Sequence, residues 1–214
     1  MNHRLMRTAA ERHIKKRDPV LGAVIRQVGP CGYSLQRDRF AMLVRSIVFQ
    51  QISGAAARTI LGRLTDALPG KQLAAEGLAA LTPEEYRLAG VSKQKAGYLQ
   101  SLAELSLTGD LRLTLIGTYA DDEIIAQLTQ VRGIGVWTAQ MFLMFSLGRP
   151  DVLPWDDLGV RQAIRKLYGL PEMPTRAESE RIAVPWRPYA SVASWYCWRS
   201  LEIKTPDAAQ EWQS

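Results

Sequence analysis

Cysteine and histidine are nearly missing from this chain. Among 214 residues there are two of each, Cys31 and Cys197, His3 and His13. Two cysteines cannot build a disulfide framework or a four-cysteine metal cluster. Both histidines fall in a basic segment that shows no metal-ligand spacing. Long apolar runs are also missing, and no stretch approaches the roughly 20 apolar residues of a membrane span. Arg4 and Arg7, followed by Thr8-Ala9-Ala10-Glu11, leave no place for the apolar stretch of a signal peptide. A cytoplasmic protein without a membrane partner is therefore expected. Strand-like alternation is scarce. Leu111-Arg112-Leu113-Thr114-Leu115 is a short exception that reads as a loop or helical turn. No internal repeat or low-complexity region is present.

What the chain does have is apolar mass and positive charge. Hydrophobic residues make up 47% of it, enough for a well-buried core in one compact unit or two small lobes. The formal net charge is +6, which favours an anionic partner. Part of the excess lies in Arg4, Arg7, Arg12, Lys15, Lys16 and Arg17, set against Glu11 alone. That segment reads either as a phosphate-seeking arm or as a frayed, solvated end.

Apolar spacing is helical almost throughout. Val20, Leu21, Val24, Ile25 and Val28 form a stripe that stops at Gly29-Pro30. Phe40, Leu43, Val44, Ile47 and Val48 repeat it up to Gln50-Gln51, and Ser53-Gly54 separates this helix from one over 55–68. Thr82-Pro83-Glu84-Glu85 is a helix start with proline in the first turn. Further helices are predicted from Ser92, over 124–129 after Asp121-Asp122-Glu123, and over 137–147, 157–168, 175–183 and 189–201. The pattern is all-α.

One segment stands out chemically. In Val131-Arg132-Gly133-Ile134-Gly135-Val136-Trp137-Thr138-Ala139, two glycines bracket one isoleucine between two helical stretches. Glycine accepts positive φ and lets another backbone come close. A tight hairpin followed by a helix N-terminus presents amides suited to a phosphate. Further on, Leu153-Pro154-Trp155-Asp156-Asp157-Leu158-Gly159 places two carboxylates at a helix start. Pro185-Trp186-Arg187-Pro188-Tyr189-Ala190 follows, with Trp195 beyond it. Taken together and in this order, the three segments resemble the helix–hairpin–helix DNA glycosylases, most closely the 3-methyladenine DNA glycosylase II branch.

The resemblance covers Gln36 to Leu201 and implies a fold of two helical lobes flanking a cleft, with the hairpin (128–139) at its mouth. One lobe would be 36–147 and the other 1–35 with 148–214, a single catalytic unit with no N-terminal β-rich domain. Four-cysteine iron–sulfur clusters occur in some relatives, and this chain lacks the ligands. Double-stranded DNA with alkylated bases is the implied partner, of a monomeric enzyme. Removing a base from DNA proceeds through an oxocarbenium-like transition state, so a carboxylate near the sugar is needed, with a pocket for a flipped nucleotide. Asp157 matches the second, catalytic aspartate of the family; Asp156 matches the first and is expected to cap the following helix beside the substrate. Relatives that also cleave the backbone carry a lysine at the position of Trp137, which attacks the sugar; Trp137 implies a water-using, monofunctional enzyme that leaves an abasic site.

Trp137, Trp195 and Met141 are expected to line the base pocket, where cation–π attraction to a cationic alkylpurine is worth about 0.5–2 kcal/mol. Gln51-Ile52-Ser53 matches the loop that inserts a side chain into the gap left by the flipped base; Ile52 and Gln51 are the candidate wedges. Lys93 and Lys95, with Arg132, Gly133, Ile134, Gly135, Val136 and Thr138, are candidate DNA contacts. The carbonyls of Thr129, Val131 and Ile134 match positions that hold a monovalent cation such as Na+ in the family; no other cofactor is implied. A bifunctional glycosylase/lyase and a non-catalytic hairpin module that binds DNA shape are the competing readings.

Overall fold

A computed structural model describes residues 3–203. Its described residues form twelve α-helices, three short 3-10 turns and no strand. The described residues divide into two compact units, one of residues 35–147 and one of residues 3–34 with 148–203.

The unit of residues 35–147 contains α3 (Arg39–Val48), α4 (Gly54–Asp66), α5 (Ala75–Ala80), α6 (Pro83–Leu88), α7 (Lys93–Thr108), α8 (Asp121–Leu128) and α9 (Val136–Phe145). The starts follow from local chemistry. Asp38, Ser53 and Ser92 each accept a first-turn amide at the heads of α3, α4 and α7, and Thr82 with Glu85 forms a reciprocal capping box on α6. Helix α7 is the organiser, packed by α3, α5 and α6. Helix α9 is apolar on nearly every face, and all of 138–144 is buried, as expected for an enclosed helix. Arg39 pins the 109–118 connection, its guanidinium donating to the carbonyls of Leu113 (2.5 Å) and Thr114 (3.0 Å).

The other unit contains α1 (His3–Arg17), α2 (Pro19–Val28), α10 (Leu158–Leu167), α11 (Arg176–Ile182) and α12 (Ala190–Ser200). Its core joins Ile14, Leu21, Ile25, Val160, Ile164, Trp186, Val192 and Tyr196. Asp18 lies inside it, 4% exposed. Its carboxylate accepts the Leu21 amide (3.0 Å), the Trp186 indole N–H (2.8 Å) and the Tyr168 hydroxyl. Three donors are what make a buried carboxylate tolerable.

The structure corrects the reading of the basic N-terminal segment. It is neither an arm nor a frayed end but helix α1, which buries Met6, Ala10 and Ile14. One apolar residue per turn, with alanine among them, is too thin a stripe to register beside so many cations. Arg12, Lys15, Lys16 and Arg17 occupy the exposed face.

Candidate functional site

The hairpin joins α8 to α9. The carbonyl of Val131 accepts the Ile134 amide (3.0 Å), and Ile134 is buried as the plug of the turn. The two glycines do different work. Gly133 has φ +82, and a Cβ there would lie 2.1 Å from Cδ2 of Tyr98, whose ring covers it. Gly135 has φ −96 and ψ 176, open to any residue, and a Cβ there would meet nothing within 4 Å. The protein's own packing therefore requires Gly133 to be glycine and places no such demand at Gly135. Gly135 is the N-cap of α9, and no side chain caps that helix, so its first-turn amides suit an anion arriving from outside.

A second segment, from Phe49 to Ser53, is tied to the hairpin. The Gln50 amide group donates to the Gly133 carbonyl (2.8 Å). Lys95 donates to the carbonyls of Val48 (2.8 Å) and Gln50 (2.7 Å), closing the end of α3, and burial pushes its pKa below the ordinary lysine value. Between these ties Gln51 holds φ +56, a region non-glycine residues rarely enter and one that costs of order 1–3 kcal/mol. Gln51 and Ile52 are both exposed. Beside them a cavity of about 710 Å³ is lined by Met42, Phe49, Gln51, Trp137, Met141 and Phe145, among others. Trp137 is 46% exposed.

In the other unit, Asp157 is the N-cap of α10. Its Oδ1 accepts the Val160 amide (2.8 Å) and the indole N–H of Trp198 (2.7 Å), and the residue is 9% exposed. Asp156 is exposed. Trp195, one turn before Trp198 on α12, is half-buried, meets Tyr196 edge-on at 4.9 Å and has the Arg199 guanidinium 5.8 Å from its ring centroid. Trp155, just before the aspartate pair, carries Arg176 at 4.9 Å.

Residues 44–188 match the family model of the HhH-GPD superfamily base excision DNA repair proteins. The chain belongs to this superfamily. DNA-3-methyladenine glycosylase 1 of Schizosaccharomyces pombe is 32% identical over 206 residues, 92% of this chain and 88% of the relative. A putative DNA-3-methyladenine glycosylase of Bacillus subtilis is 34% identical over 167 residues, 75% of this chain and 58% of the relative. Among solved structures, a DNA-3-methyladenine glycosidase of Bacillus halodurans has a TM-score of 0.83 at 34% identity, covering 94% of this chain and 91% of that one. The S. pombe 3-methyladenine DNA glycosylase in complex with abasic DNA has a TM-score of 0.79 at 31% identity, covering 91% and 97%.

Within this HhH-GPD chain, residues singled out from the sequence gather at two places in the unit of residues 35–147. Gly133, Ile134, Gly135 and Val136 form the hairpin and helix start, with Arg132 exposed at its tip; Trp137, Met141 and Gln51 share one cavity. Three expectations need correction. Asp156 does not cap α10, because Asp157 takes that place with its own carboxylate. Lys95 faces inward, its ammonium committed to two carbonyls at the end of α3. The Thr138 side chain is buried in α9 at 6% exposure, so only its backbone amide belongs to the helix start. Ser53 serves as the N-cap of α4, accepting the Ala56 amide, and Lys93 is exposed at the head of α7. Sequence reasoning missed Trp198, Phe49, Phe145 and the Tyr98 ring over Gly133. Nothing in their spacing marks them; each matters only through a partner distant in sequence.

Proposed function

We propose that this HhH-GPD enzyme is a monofunctional DNA glycosylase that hydrolyses the N-glycosidic bond of alkylated purines in duplex DNA, of the 3-methyladenine and 7-methylguanine type. The observation that carries the reading is the fixed carboxylate of Asp157, locked at a helix start by two N–H donors. A pre-oriented negative charge stabilises an oxocarbenium-like sugar without reorganisation at the moment of reaction. A cationic alkylpurine is already a good leaving group, so the mechanism asks little of a general acid. Asp157 also orients or activates the attacking water, and the sugar keeps an intact strand around an abasic site. The tryptophan at position 137 supports the absence of lyase chemistry, since that position would carry the amine that attacks the sugar.

DNA is held through its backbone at the hairpin, where Gly135 and the uncapped start of α9 receive a phosphate. The carbonyls of Thr129, Val131 and Ile134 would hold a monovalent cation; neutral carbonyl oxygens are suitable donors for a hard ion. Gln51 is the proposed wedge, because its strained backbone is held by Gln50 and Lys95 on one side and caps into α4 through Ser53 on the other. Trp137 and Met141, which line one cavity with Gln51, are proposed as base-selecting side chains, and so is Trp195.

The test is incubation with methylated duplex DNA. Chromatography should find free 3-methyladenine or 7-methylguanine, with strands that break only after alkali, and borohydride should trap no covalent protein–DNA adduct. Strand cleavage without alkali together with a trapped adduct would make the enzyme a lyase instead.

A further inference from the structure

Gly159 is an odd choice at its position. It lies in the first turn of α10, where glycine costs about 1 kcal/mol relative to alanine, and it does not adopt positive φ. Space explains it. A Cβ at 159 would lie 2.8 Å from Cδ1 and 3.1 Å from Nε1 of Trp198, and 3.2 Å from Oδ1 of Asp157. The missing side chain is thus the seat in which the Trp198 indole reaches the carboxylate at 2.7 Å.

We infer that Trp198 is a positioning residue for Asp157 and that Gly159 exists to admit it; the inference rests on the assignment of Asp157 as the catalytic carboxylate. An N-cap aspartate needs only its helix amide, so the second donor is beyond what capping requires. Both donors converge on Oδ1, which fixes the plane of the carboxylate as well as its place. The donor is also electrically neutral. An arginine or lysine there would orient the group but would offset the negative charge that the sugar cation needs, whereas an indole N–H orients it and leaves that charge in place. The indole is rigid and is carried by α12, whose preceding turn presents Trp195. One helix therefore supports both a proposed base-selecting side chain and the aim of the carboxylate.

The test compares Trp198→Phe, which removes the donor and keeps an aromatic ring, with Gly159→Ala, which keeps the donor and fills its seat. Single-turnover release of alkylated bases from methylated duplex is measured with KM, duplex affinity and the unfolding midpoint. Both variants should lose roughly ten- to a hundredfold in kcat, the scale of one hydrogen bond to a charged group, with KM and affinity unchanged within about twofold. In an Asp157→Asn background, adding Trp198→Phe should cost nothing further, because the residue acts through Asp157. Wild-type kcat in both single variants, or a full additional loss in the Asp157→Asn background, would overturn the inference. If Trp198→Phe fails to fold, Gly159→Ala decides alone. Near-normal release by Asp157→Asn itself would instead remove the catalytic assignment, a different failure from an active Trp198→Phe beside a dead Asp157→Asn.

Discussion

Replacing the two hairpin glycines by alanine, one at a time, should separate folding from DNA binding. At Gly133 the new methyl enters a left-handed backbone, φ +82, and lands 2.1 Å from the Tyr98 ring. The backbone conformation costs about 1–2 kcal/mol for a residue with a Cβ. Displacing a packed ring adds the roughly 1–3 kcal/mol typical of overpacking. A loss of about 2–5 kcal/mol corresponds to a fall of roughly 5–15 °C in the unfolding midpoint for a chain of this size. Tyr98→Ala in the same molecule should recover the packing part and leave the backbone part. At Gly135 the methyl meets no protein atom and the backbone is extended, so stability should hold or rise by about 0.4–1 kcal/mol. Duplex affinity should fall about tenfold or more as backbone–phosphate hydrogen bonds are lost, equally for damaged and undamaged DNA because phosphate contacts read no sequence. Thermal unfolding by circular dichroism and anisotropy with a labelled duplex at fixed salt give the two readouts. Gly135→Ala with full duplex affinity would refute the reasoning, as would equal thermal losses in the two variants.

Asp18→Asn should destabilise the protein by about 1–3 kcal/mol, since an amide NH2 would confront the Trp186 indole N–H, a donor that cannot accept; denaturant unfolding measures this, and an unchanged midpoint would mean that the buried carboxylate is dispensable. Burial pushes the Cys31 thiol up to about 12 and the Cys197 thiol higher still; burial disfavours the thiolate, so both stay protonated at pH 8. Neither should react there with a disulfide thiol probe until denaturant is added, and a fast native reaction would contradict it. Trp195→Ala should penalise release of a cationic base such as 3-methyladenine more than a neutral one such as hypoxanthine, by roughly 0.5–2 kcal/mol in kcat/KM; equal losses would assign selection to shape.

The helices were legible because their signals are local. Thr82, Ser92 and Thr175 stand at the predicted helix starts, and each caps one; Asp38 and Ser53 cap α3 and α4, although neither is among the predicted starts. The hairpin was legible for the same reason, as a compact motif between two helices. Helix α1 was not, since Met6, Ala10 and Ile14 give a sparse stripe under a heavy load of charge. The carboxylate pair shows where local reasoning ends. Either Asp156 or Asp157 has the chemistry of a cap, and a one-residue difference in where α10 begins decides which of them is buried. The partners of the site residues were invisible: Trp198 with Asp157, Tyr98 with Gly133 and Lys95 with the end of α3 each join positions far apart in the chain. Lys95 is instructive, because a lysine near a hairpin proposed to hold DNA reads as a phosphate contact until its ammonium is found between two carbonyls.

The central claim, that Asp157 supplies the charge for glycosidic bond hydrolysis, is tested most directly by single-turnover base release from methylated duplex with Asp157→Asn. Asparagine is an equally good N-cap, and its carbonyl oxygen can still accept from Val160 and Trp198, so the fold and duplex affinity should survive. The release rate should fall by orders of magnitude, because a neutral amide cannot offset the developing positive charge on the sugar, whereas Asp156→Asn should stay close to wild type. Near-normal release by a folded, DNA-binding Asp157→Asn would contradict the account.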